Sequence, residues 1–187
     1  CTAGIETTLC RAEWIEGLNK MDLNIVPSQH AKKVFENSKF KKKLENGQQV
    51  PVALNKPVEV LFEGSNLDVF GRGKPKHESI DEQLKTIKED FCFLFVGHWL
   101  QGDVGADRKD IGMLINIFCK TFKAKKNKPA LILKSSGASF SVVDQMECLR
   151  KIKLIRKNVG GDVPNVYLLH GELTENELNY LYNHDKV

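Results

Sequence analysis

Three short apolar runs, FCFLFVG at 91–97, PALILK at 129–134 and NVYLL at 165–169, are separated by segments whose apolar residues recur at helical spacing. A strand that is apolar along its whole length has both faces covered, and helices of a dozen residues between such strands supply the cover. The alternation predicts strand 91–97, helix 109–123, strand 129–134, helix 140–158, strand 165–169 and a helix from Thr174. The fold class is therefore α/β with a parallel sheet, Rossmann-like in this half.

The first half repeats the theme less regularly. Trp14, Ile15, Leu18 and Met21 in RAEWIEGLNKM predict a helix with Trp14 in the core, and DLNIVP predicts a short strand at 22–27. Ser28 then stands as an N-cap for SQHAKKVFENS, with Ala31, Val34 and Phe35 on its inner face. KFKKKLENGQQVPVALNKP, with its Asn-Gly signal, reads as a surface excursion with a short hairpin, and VEVLFEG at 58–64 as a strand. Three organisational segments follow: 1–68, a linker at 69–90, in which Ile80, Leu84 and Ile87 suggest a short helix, and 91–187.

Composition excludes several classes. A net charge of +4, from 28 basic and 24 acidic residues in 187, is too small for a nucleic-acid footprint. No run approaches the roughly 18 apolar residues of a membrane span, and no secretory leader pattern opens the chain. Five cysteines without metal-binding spacing read as reduced core thiols, which predicts a cytoplasmic protein. Lys41, Lys42 and Lys43 read as a solvated loop, with contact to an anionic membrane surface as the alternative.

The loop after the first all-apolar strand is where chemistry is expected. Ligands of parallel α/β sheets bind beyond the carboxyl ends of the strands, and this loop carries Gly97, Gly102, Gly105 and then Arg108-Lys109 before a helix. The spacing is neither GxGxxG nor GxxxxGK[ST], so neither a dinucleotide fingerprint nor a P-loop is predicted. Read from the residues alone, the loop is either a solvated connection or an anion site.

VGHWLQGDVGADRKDIGMLINIF resembles the opening of the donor domain in GT-B glycosyltransferases of family 4, where a strand ending in VGR leads through a basic pair to a helix. EWIEGLNKMDLNIVPSQHAKKVF, PVEVLFEGSNLDVF and VYLLHGELTENELNYLYNHDKV resemble three further family segments, in the family's order. The resemblance implies two Rossmann-like units, both incomplete here: the end of an acceptor-side domain, a linker, and the first half of a nucleotide-sugar donor domain. It implies transfer of a sugar from a nucleotide diphosphate-sugar to an unknown acceptor, retaining in the full-length enzyme, with no cofactor and no metal.

Residue by residue, the resemblance implies that Gly97, His98, Arg108 and Lys109 meet the donor diphosphate, with His98 standing where the family has arginine. Ser136, Gly137, Gly171 and Leu173 fall near the donor base or sugar, and Glu6 and Thr7 on the acceptor side. The family's retaining members carry a glutamate pair eight positions apart, and no two glutamates of this chain stand so. The expectation is an interior portion of a longer enzyme, inactive and poorly soluble by itself. The alternative is a non-catalytic α/β module that binds a phosphorylated ligand or a protein partner.

Overall fold

The computed structural model of the chain describes residues 5–73, 75–100, 104–137 and 139–187, and Cys1 and Gly102 lie outside them. Two compact units emerge, residues 1–65 and 66–187. Both are mixed α/β with parallel strand pairing, in keeping with the class expected from the sequence.

The first unit runs α1 (Ala12–Leu18), β1 (Asn24–Val26), α2 (Gln29–Asn37), β2 (Phe40–Lys43), β3 (Gln49–Val52) and β4 (Val58–Val60). β1 and β4 pair in parallel, while β2 and β3 form an antiparallel hairpin. The hairpin turns at Asn46-Gly47, where Gly47 has φ of +83°, a conformation that costs glycine nothing. Ser28 caps α2, its hydroxyl accepting from the Ala31 N–H at 3.1 Å. Ile15, Ala31 and Phe35 form the centre of the unit's core.

Two expectations are corrected here. Trp14 is not a core residue: α1 is too short to turn more than Ile15 and Leu18 inward, so Trp14 lies tilted beside Phe35, 6.5 Å between ring centroids, and is 45% exposed. The strand expected over 58–64 stops at Val60 because β1 offers only three partners, and Leu61 and Phe62 are exposed.

The second unit holds α3 (Glu78–Lys85), β5 (Cys92–His98), α4 (Ile111–Phe122), β6 (Ala130–Ser136), α5 (Val142–Val159), β7 (Val166–Leu169) and α6 (Glu175–Tyr182). Its sheet is all parallel in the order β5-β6-β7. β6 is central, and its side chains alternate between two cores as strand geometry requires. Leu131 and Leu133 join Ile111, Ile115 and Phe118 of α4 and Ile152 of α5. Ala130 and Ile132 join Ile80 and Leu84 of α3 and Leu181 of α6. Helices thus cover both faces.

The 69–90 segment, read from the sequence as a linker, contributes α3 to this unit's core. Asn179 fastens its start, accepting from the Gly71 N–H at 3.0 Å and donating to the Gly71 carbonyl at 3.1 Å. Among the described residues β5 has no strand on its outer edge, and Phe91 and Phe93 beside it are exposed. Among those residues, no helix is long and apolar enough to cross a membrane.

Candidate functional site

Parallel strands bring their carboxyl ends to one edge of the sheet. In the register of β5, β6 and β7, His98 lies opposite Ser136 and Lys134 opposite Leu169. A cleft of about 340 Å³ opens at that edge. Val96, Gly97 and His98 line it from β5, Lys134, Ser135 and Ser136 from β6, and Glu172 and Leu173 from the loop after β7. Phe140 and Leu178 complete its wall.

Period-2 alternation puts Lys134 and Ser136 on the face of β6 that Ala130 and Ile132 occupy, toward α6. The Lys134 ammonium donates to the Gly171 carbonyl at 2.5 Å and stands 5.6 Å from the centre of the Phe140 ring. Burial pushes its pKa down, an effect that the Glu172 carboxylate partly opposes. The Ser136 hydroxyl and His98 Nδ1 are 3.3 Å apart.

Behind the cleft a carboxylate ties two strand ends together. Asp144, in the first turn of α5, accepts from the Gly137 N–H at 2.9 Å and pairs with His170 Nε2 at 2.8 Å. His170 is almost fully buried and packs edge-on against Phe140, 6.0 Å between ring centroids. Glycine at 137 leaves room for this contact, because a Cβ there would stand 2.3 Å from Asp144 Oδ1 and the carboxylate would have to move. Gly171, with φ of +115°, turns the chain so that its carbonyl meets Lys134.

The loop 97–109 reaches α4 differently from the expected helix start at Lys109. Asp110 is the N-cap, in left-handed conformation with φ of +49°, and its Oδ1 accepts from the Gly105 N–H at 2.9 Å. Asp107 is buried, with Oδ2 accepting from the Ile111 N–H at 3.3 Å. Carboxylates therefore already meet the positive end of α4. Arg108 and Lys109 turn out to solvent and do not line the cleft.

The structure thus gathers Gly97, His98, Ser136 and Leu173 around one cleft, with Gly137 and Gly171 framing it. Glu6 and Thr7 lie exposed in the first unit, where the Thr7 hydroxyl donates to the Leu9 carbonyl at 2.8 Å. Thr7 does not cap α1, whose N-cap is Arg11. Lys134, Phe140, Glu172, Asp144 and His170 are additions that site reasoning from the sequence had not selected. Position at the carboxyl end of a predicted strand was the available signal for Lys134, and position in the loop after one for Glu172; nothing local marked the Asp144–His170 pair.

Among the described residues, no cluster of three or more His, Cys, Asp or Glu could hold a metal ion. The cysteines Cys10, Cys92, Cys119 and Cys148 are buried and unpaired, and burial pushes the thiols of Cys92, Cys119 and Cys148 up. No protein-family model, curated protein or solved structure matches the chain.

Proposed function

We propose that the chain is part of a glycosyltransferase of the GT-B type, with the second unit binding a nucleotide diphosphate-sugar at the carboxyl ends of β5, β6 and β7. The observation that carries this reading is the cleft itself: glycine backbone, an ammonium, a hydroxyl and an imidazole converge on it beside an apolar wall. A flat base and a charged diphosphate need those two characters side by side. The four ordered resemblances in the sequence supply the reaction class.

In the proposed reaction the bond between the sugar anomeric carbon and the diphosphate oxygen breaks as the acceptor oxygen bonds to that carbon and gives up its proton to the departing diphosphate. The departing diphosphate gains negative charge, and cations held on the chain stabilise it. Arg108 and Lys109 are the pair that the resemblance brings to this group. Because they stand exposed on the turn before α4, the ligand must extend from the cleft to that turn. The retaining, metal-independent course is part of the same proposal.

The test is release of nucleoside diphosphate from a panel of nucleotide-sugars by the full-length protein, wild type and Lys109→Ala. Turnover with one nucleotide class, reduced at least tenfold by the substitution, is the expected result. Turnover unchanged by Lys109→Ala removes that residue's role. Tight binding without turnover supports the non-catalytic module instead, and neither binding nor turnover overturns both readings.

A further inference from the structure

We propose that Lys134 is the principal phosphate-binding cation of the cleft, with Ser136 and His98 completing an anion subsite that the chain builds independently of Arg108 and Lys109. The inference rests on the nucleotide-sugar reading for the identity of the ligand, and on this chain's own geometry for the site.

Three observations converge on it. Lys134 forms no ion pair among the described residues, and its one hydrogen bond there uses a single donor of the three on an ammonium. A half-buried ammonium held by a carbonyl and an aromatic face is a cation with charge to spare, and an incoming phosphate supplies the missing counter-ion. Ser136 lies two residues along the same strand face, and His98 opposite it in register is exposed, so a hydroxyl and an imidazole line the same cleft as the ammonium.

The competing location is weaker. Near the start of α4 the Gly105 and Ile111 N–H groups are already taken by Asp110 and Asp107, so a phosphate there would find those two donors occupied and two carboxylates beside them. Glu172 also lines the cleft and attracts the Lys134 ammonium without forming an ion pair with it. A phosphate therefore enters with Glu172 at its side, which favours a ligand that places its charge toward Ser136 and His98 and its neutral part toward Leu173 and Glu172.

The experiment is calorimetric titration of the full-length protein with a panel of nucleoside diphosphates and with inorganic pyrophosphate. The proteins are wild type, Lys134→Met, Lys134→Arg, Ser136→Ala and the double substitution Arg108→Ala with Lys109→Ala. Thermal melting of each variant verifies folding. Loss of a charge-assisted contact weakens binding about 10- to 100-fold, so Lys134→Met is expected to lose that much and Lys134→Arg to recover part of it. Ser136→Ala is expected to lose about threefold to tenfold, and the double substitution less than Lys134→Met.

Nucleoside diphosphate binding that Lys134→Met leaves unchanged overturns the inference and spares the donor reading. Pyrophosphate binding that depends on Lys134, with no nucleoside diphosphate preferred, upholds the anion subsite and overturns the donor reading. Absence of binding by every probe to wild type overturns both. Should Lys134→Met fail to fold, Lys134→Arg and Ser136→Ala decide alone: equal affinity to wild type in both contradicts the subsite.

Discussion

Replacing Gly137 with alanine is expected to loosen the strand-end brace behind the cleft. The added Cβ would stand 2.3 Å from Asp144 Oδ1 and 3.3 Å from its Cγ. A carbon–oxygen contact relaxes to roughly 3.3 Å, so the carboxylate must withdraw by about 1 Å. That withdrawal stretches its bonds to the Gly137 N–H, at 2.9 Å, and to His170 Nε2, at 2.8 Å, beyond useful length. Each charge-assisted bond contributes about 1.5–3 kcal/mol, and hydration of the displaced carboxylate offsets part of it, leaving a cost of about 2–4 kcal/mol. For a unit of this size that lowers Tm by roughly 6–16 °C. Circular-dichroism melting of Gly137→Ala, Asp144→Ala and the double variant measures it. In the Asp144→Ala background the alanine meets no carboxylate, so its cost should nearly vanish. A single-variant Tm within about 2 °C of wild type, or an equal cost in both backgrounds, refutes the brace.

Three further outcomes follow from the same structure. Tyr180 donates to Asp81 at 2.7 Å, which pushes its pKa up to about 12 and, with help from His184, holds Asp81 below the usual carboxylate range. The Tyr180 contribution is complete below pH about 10 and lost as pH rises toward about 12, while that of Asp81 is present above its ordinary pKa and lost as pH falls below it. Tyr180→Phe should therefore flatten both limbs of a stability-versus-pH profile measured by urea unfolding; limbs identical to wild type would contradict the pairing. Native Cys92, Cys119 and Cys148 should resist a thiol reagent until the chain unfolds, since burial disfavours the thiolate, and peptide mapping that finds them modified within minutes would contradict their placement. Ile132→Ala, at a fully buried position of the central strand, should cost about 2–5 kcal/mol in urea unfolding, whereas exposed Val143→Ala should cost under about 0.5 kcal/mol; equal costs would mean that β6 is not central.

Much of the second unit was legible because strand and helix periods are strong where both faces are buried. Strands that read as PALILK and NVYLL have few other ways to be satisfied, and each predicted element from 91 onward appears within about two residues of its expected bounds. The first unit was less legible at the level of burial: Trp14 is as apolar as any core residue, yet a seven-residue helix has one narrow inner face, already filled by Ile15 and Leu18. Glycines and a basic pair mark the 97–109 loop in the sequence, but Asp110 and Asp107 already accept from the Gly105 and Ile111 N–H groups. The Lys134 environment depends on Gly171, which is remote in sequence and adjacent only because β6 and β7 pair. Tertiary proximity of that kind leaves no local pattern to read.

The most direct measurement of the central claim is a nitrogen–proton correlation spectrum of the isotope-labelled full-length protein, titrated with a panel of nucleoside diphosphates. The amides of Gly97, His98, Ser136 and Leu173, together with Gly171, should shift in a saturable and concerted way with at least one nucleotide, while exposed Val143 on α5 stays still. Saturable shifts confined to other parts of the chain, or no shifts with any nucleotide, would contradict the assignment of the cleft as the donor site.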